Sequence, residues 1–224
     1  MEQTKDRYLR VYYDAEFTEL SQHAKLISIG IKSETGSYFY AEFNYDEDQI
    51  SYNDWIKENV IDHLVFNNHI EKYNKIINPN NNLLYSIEIK MDPDTISNRL
   101  HEWLYNESKV FGCKIEFYTD CYAYDWMLLN SLICENGNAL HIPDFISYIP
   151  IDLSTTLKLI GEDPDITRED YISAKAINEI ADSEPFSNYE ILPGIHPKHN
   201  ALWDAVVCEA CFKKIMNNFS YFDR

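Results

Sequence analysis

The chain has 224 residues, 45% of them hydrophobic and 25% charged, with a formal net charge of -18. That balance fits a soluble globular protein of one generous domain, and no apolar run approaches the roughly 20 residues that cross a bilayer. The acidic excess argues against a protein that grips long nucleic acid through a basic surface. The N-terminal MEQTKDRYLR lacks the apolar core of a secretory signal, so the expected compartment is the cytoplasm. The five cysteines, Cys113, Cys121, Cys134, Cys208 and Cys211, show no disulfide-framework spacing. Cys208 and Cys211 form a CxxC inside a helical pattern with no second ligand pair, and read as core-facing thiols.

In chain order, Val11–Tyr13, Leu26–Ile31 and Tyr38–Phe43 are β-branched, apolar or aromatic and read as three strands of an antiparallel meander. Gly36 supplies the turn in KSETGS. Asn53–Phe66 has a helical pattern in Trp55, Ile56, Val60 and Leu64, with Asn53 as its cap. The Asn-rich Asn67–Asn82 reads as a surface loop, followed by a short strand at Tyr85–Lys90. Asp94–Val110 is a helix, Lys114–Thr119 a strand and Tyr124–Cys134 a helix. Asp152–Ile160 and Tyr171–Ala181 read as helices around an acidic, turn-rich link. SEPFSNYEILPGIHP reads as a loop, and Asn200–Asn217 is the closing helix. A leading sheet followed by strand–helix alternation and a closing helix is an α/β or α+β architecture.

The chemistry begins in VYYDAEFTEL. Asp14 and Glu16 are two apart on a strand and so share a face. Buried like charges are costly, and a divalent cation is the usual remedy. On this pair alone, a solvated strand end is the commoner meaning. Asp125 opens the helix after KIEFYT, and the last helix opens with KHNALWDAVVCEA, where His199 and Asp204 are five apart. Four carboxylates and an imidazole thus stand where strands or helices begin or end.

Asp14-Ala-Glu16-Phe-Thr18, then Tyr124-Asp125, then His199-Asn-Ala-Leu-Trp-Asp204-Ala resemble the three motifs of the DEDDh 3′–5′ exonucleases, an RNase H-like group. YYDAEFTE with KLISIGI downstream is most similar to the RNase AS-type exoribonucleases and related phage exonucleases. The resemblance covers Val11–Phe43, Lys114–Leu132 and His199–Ala210, and implies an α/β fold, an RNase H-like mixed sheet of a three-strand antiparallel meander plus parallel strands flanked by helices, in one domain over 1–224 with insertions around 45–111 and 140–196. It implies a two-metal phosphodiester hydrolase using Mg²⁺ or Mn²⁺ ions about 3.5–4 Å apart. Asp14, Glu16 and Asp204 would bind one ion, Asp14 would bridge to the second, and Asp125 would complete the cage. His199 would take the proton from the attacking water, a task suited to an imidazole near neutral pH.

Rivals stand beside these assignments. Asp120 competes with Asp125, His196 with His199, and Asp152 reads as a helix N-cap or a second-sphere group. Phe17, Tyr124 and Trp126 are candidates to stack on bases, with core packing the equal reading for each. Thr18 is a candidate for a ribose 2′-hydroxyl contact, with a turn role as its plain alternative. Lys198, Lys213, Lys214 and Arg168 are candidates for a positive rim. The expected substrates are RNA, or single-stranded DNA, at short 3′ ends, and the resemblance implies a homodimer. A DNA-directed phage-type exonuclease, a catalytically silent nucleic-acid-binding relative and an acidic α/β protein with accidental matches are the competing readings.

Overall fold

The computed structural model describes residues 7–21, 23–44, 53–66, 68–77, 83–134, 137–188 and 198–222. His196 lies outside them. Seven strands form one mixed sheet: β1 (Tyr8–Phe17), β2 (Leu26–Ser33), β3 (Tyr38–Phe43), β4 (Ile70–Ile77), β5 (Leu83–Met91), β6 (Lys114–Thr119) and β7 (Ile151–Asp152). Their spatial order is β4-β5-β3-β2-β1-β6-β7. β1, β2 and β3 are the antiparallel meander, β6 and β7 extend it in parallel beside β1, and β5 lies parallel to β3. The expected α/β architecture is the one observed.

Alternation along β1 sorts its side chains to two faces. Val11, Tyr13 and Ala15 join an apolar layer with Ile29, Ile31, Phe39 and Ile89. Helix α2 (Pro93–Phe111) covers that layer with Ile96, Leu100, Trp103 and Leu104. Helix α3 (Tyr122–Ile133) adds Trp126, Leu129 and Ile133. Sequence chemistry fixes the ends of α2: Asp92 accepts from Thr95 N at 3.0 Å, Pro93 opens the first turn, and Gly112 closes the helix at φ 60°. Tyr12, Asp14 and Glu16 take the opposite face. There Tyr12 and Tyr40 pack against Leu202, Trp203, Val207 and Phe212 of α7 (Ala201–Phe222).

The approach of α7 is unusually close at one point. A β-carbon built on Gly30 of β2 would lie 2.2 Å from the Leu202 nitrogen and 2.3 Å from the Ala201 carbonyl. Only the bare glycine lets the first turn of α7 rest on the strand. Gly30 is the ladder partner of Asp14.

Three sequence expectations need correction. The helix expected over Asn53–Phe66 stops after α1 (Asp54–Asn59), with a 3₁₀ turn at Ile61–His63. The chain then leaves helical geometry because Val65 and Phe66 donate their backbone N–H groups to the buried Glu42 carboxylate at 2.5 and 3.1 Å. The loop expected over Asn67–Asn82 contains β4, an edge strand whose exposed polar side chains hide its pairing with β5. The helix expected over Tyr171–Ala181 is two: α5 (Arg168–Tyr171) and α6 (Ala174–Ala181), with Ser173 capping the second. Asp152 caps α4 (Leu153–Leu159), accepting from Thr155 N at 2.7 Å.

The hairpin between β2 and β3 is fastened to α2 by a fully buried carboxylate. Glu107 accepts from the hydroxyls of Ser33 (3.0 Å), Thr35 (3.0 Å) and Ser37 (2.8 Å). Glu107→Ala strands the buried Ser33 and Ser37 hydroxyls and is expected to cost about 2 kcal/mol or more in chemical denaturation. Gly30→Ala forces α7 off the sheet and is expected to cost at least about 3 kcal/mol, the upper range for overpacking. An unchanged denaturation midpoint in Gly30→Ala would contradict the backbone contact.

Candidate active site

β1 delivers Asp14 and Glu16 to the α7 face, opposite Gly30 and Ser28 in the β1–β2 ladder. Beside them stands the start of α7. Asn200, 3% exposed, caps that helix by accepting from Trp203 N at 3.2 Å, while its amide donates to the Tyr40 hydroxyl at 3.2 Å. His199, just before the cap, has φ 66° and is left-handed, a geometry His adopts more readily than most residues. Its backbone N–H donates to Asp204 Oδ2 at 3.0 Å, so the carboxylate folds back over its own helix start. The His199 ring brings Nδ1 to 3.6 Å from Glu16 Oε1. One ligand atom each from Glu16, His199 and Asp204 lies within 4.8 Å of the others.

Asp125 enters from the first turn of α3 and is 3% exposed. Thr119 donates its hydroxyl to Asp125 Oδ2 at 3.0 Å, and Tyr13 donates to the Asp125 carbonyl at 2.9 Å. Asp14, Glu16, Asp125, His199 and Asp204 all line one cavity of about 960 Å³.

The electrostatics follow from this crowding. Burial pushes the Asp14 carboxyl well above the carboxylate range, and Asp125, Asp204, Glu16 and Asp120 push it further. Burial does the same at Asp204, with Glu16 and Glu169 adding to it and the His199 N–H and Lys198 opposing. Asp125 is pushed up to about 8, chiefly by burial, against the Thr119 hydrogen bond. Glu16 is raised by burial and pulled back by His199. Four oxygen-donor carboxylates that repel one another around a common space are the donor set that hard divalent cations take. The residues present therefore fit a divalent-metal centre.

The other sequence candidates divide. Phe17 and Thr18 line the cavity. Thr18 Oγ1 accepts from Lys25 N at 3.0 Å, which is the turn role, and the same hydroxyl retains a proton to donate. Tyr124 is not a lining residue; it stacks behind Phe17 with ring centroids 6.1 Å apart. Trp126 is a correction: it packs in the α2–α3 layer against Phe117, at 5.3 Å, because its offset from Asp125 turns it to the helix's buried side. Arg168 and Lys198 reach the cavity wall. Lys213 instead pairs with Glu209 at 2.8 Å, and Lys214 donates to the Tyr171 carbonyl. Cys208 and Cys211 are buried, and burial raises both thiols, Cys211 to about 12.

Trp55 was read as part of an apolar helix face, but it is 54% exposed, lines the cavity and meets the His199 ring edge-on at 5.3 Å. The signal was its position: Ile56 and Val60 are four apart and form the buried stripe, and Trp55 stands one step off it.

Fold and cavity together define a mixed α/β protein with an acidic, imidazole-flanked site of metal-binding type. No protein-family model and no curated protein matches the sequence. Among solved structures, the chain is similar to the Neurospora crassa Pan2 catalytic unit (protease and nuclease domain), with 16% identity and a TM-score of 0.37. The alignment covers 100% of this chain and 30% of that one. The reading of activity rests on the cavity itself.

Without metal, the raised carboxyls hold protons that the unfolded chain releases near about pH 4. The folded state then binds more protons than the unfolded state from there up to about 8, the value at Asp125. Stability therefore falls as pH rises through that window. Melting temperatures in chelator are expected to decline from about pH 5 to about pH 8, and saturating Mn²⁺ is expected to raise them and remove the decline. A flat profile in chelator would contradict the shared burial of these groups.

Proposed function

We propose that the chain is a metal-dependent 3′–5′ exonuclease that hydrolyses phosphodiester bonds, with RNA as the preferred substrate, and releases nucleoside 5′-monophosphates. The observation that carries this reading is the convergence of Asp14, Glu16, Asp125, Asp204 and His199, drawn from three distant stretches of chain, on one cavity.

Asp14, Glu16, Asp125 and Asp204 would hold the two Mg²⁺ or Mn²⁺ ions. Bound there, the ions supply charge neutralisation at the scissile phosphate and make a water more acidic. His199, one-third exposed at the cavity edge, takes the proton from the attacking water. Its left-handed backbone and the N–H bond to Asp204 fix where the ring starts, and Glu16 orients Nδ1. Phe17, backed by Tyr124, and Trp55 offer aromatic surface for the terminal bases. Thr18, beside Phe17 on the cavity wall, would address the ribose 2′-hydroxyl that separates RNA from DNA. Beyond the four cage carboxylates, Glu19, Asp152, Asp165 and Glu169 also line the cavity, which disfavours long polyanionic strands and suits short 3′ ends.

The test is cleavage of matched 5′-labelled RNA and DNA oligonucleotides with Mn²⁺. The expected result is a ladder that shortens from the 3′ end, faster on RNA. His199→Ala is expected to lower the rate about 10²–10⁴-fold, the range for a lost general base, while keeping the Mn²⁺-induced rise in melting temperature. Asp14→Ala is expected to abolish both. Faster DNA cleavage would reverse the substrate order, and an inactive wild-type chain would sink the reading.

A further inference from the structure

Asp120 stands five residues before Asp125, lines the same cavity, and adds its charge to the field on both Asp14 and Asp125. By chemistry it is a fifth oxygen donor beside the proposed metal site. Both oxygens of its carboxylate are nevertheless engaged. Arg168 Nε donates to Asp120 Oδ2 at 2.8 Å, and Arg168 Nη2 lies 2.5 Å from Oδ1. The Ser154 hydroxyl adds a third bond, to Oδ1 at 3.3 Å.

Arg168 is itself bound on every side. Beyond Asp120 it donates to Ser154 Oγ at 2.6 Å, to the Pro164 carbonyl at 3.1 Å and to the Ile166 carbonyl at 2.6 Å. A guanidinium has five N–H donors in a rigid fork, and here its bonds reach four acceptor atoms, the Pro164 carbonyl taking two of them. The side chain is 16% exposed, and Nε and Nη2 each lie against one oxygen of Asp120, with a charge-assisted hydrogen bond from Nε. Three segments meet at this one cation: the end of β6, the first turn of α4 and the turn before α5.

We propose that Arg168 is a positioning residue of the metal site, which claims both oxygens of Asp120 and so keeps a fifth carboxylate out of the coordinating set. This rests on the metal-site reading above. The number of carboxylates tunes how tightly a divalent ion is held. A surplus ligand tightens the grip on the ions and spends their positive charge on protein rather than on the phosphate.

The test is calorimetric titration of the metal-free chain with Mn²⁺, a readout independent of activity. Arg168→Gln releases Asp120 and is expected to tighten the Mn²⁺ dissociation constant about tenfold, in line with one added carboxylate. A gain of affinity is an effect that simple damage to the cavity wall does not produce. Asp120→Asn keeps its side-chain carbonyl for Arg168 and is expected to leave the dissociation constant within about twofold of wild type. The double variant is expected to lose the gain seen in Arg168→Gln. Unchanged or weaker binding in Arg168→Gln would overturn the proposal. So would a large loss in Asp120→Asn, because Asp120 would then be a ligand. A wild-type chain that takes up no Mn²⁺ would instead bring down the metal-site reading on which the proposal stands.

Discussion

A helix resting backbone-on-backbone against a strand governs the rest of this molecule. At Gly30 the first turn of α7 touches β2 with no side chain between them. The ladder puts Asp14 directly across from that contact, and α7 carries Asp204 in the same first turn. Residues near the two ends of the sequence are thereby brought within a few ångströms. Any spacer at Gly30 would lift α7 and open the distance between His199 and Glu16. The site is thus set by the absence of a side chain as much as by the presence of five.

The crowding that results is unfavourable in the bare protein. Four carboxylates share one partly buried space; burial raises the proton affinity of each, and the charge of Glu16 raises it further at Asp14, Asp125 and Asp204. Their local partners are few: a Thr119 hydroxyl, the His199 N–H and ring, and Lys198. Among the described residues, the guanidinium at the wall is that of Arg168, which is committed to Asp120. Uncompensated like charge in a fold that is otherwise well satisfied marks a place shaped for something other than stability.

Much of this was legible in the sequence where short-range chemistry decides. The meander, the turn at Gly36, the β6 strand and the α2 caps follow from β-branching, alternation and capping residues. The Asp14–Glu16 pair and the His199–Asp204 spacing stood out because helix and strand periodicity fix which side chains share a face. What stayed hidden depends on distant partners. β4 carries Glu71, Lys72, Asn74 and Lys75, so its polar edge looks like a loop until β5 supplies the ladder. The early end of α1 is set by Glu42, a residue far back in the chain. Trp55 belongs to the helical apolar spacing, and hydrophobicity alone does not say which of two adjacent apolar side chains faces inward. The commitment of Asp120 to Arg168 joins residues 48 apart and leaves no trace in local pattern.

Glu107 gives the sheet a guard against slippage. Its three hydroxyl partners hold the far end of the β2–β3 hairpin, away from the cavity, and Glu34 between them exchanges hydrogen bonds with Arg10 of β1. A one-residue shift between β1 and β2 would invert every side chain on the moving strand. Asp14 and Glu16 would then point into the apolar layer under α2, and Tyr13 and Ala15 would replace them in the cavity. By anchoring alignment from the end that takes no part in the chemistry, this carboxylate leaves the loops around the opposite end at liberty to diverge while the acidic face keeps its orientation.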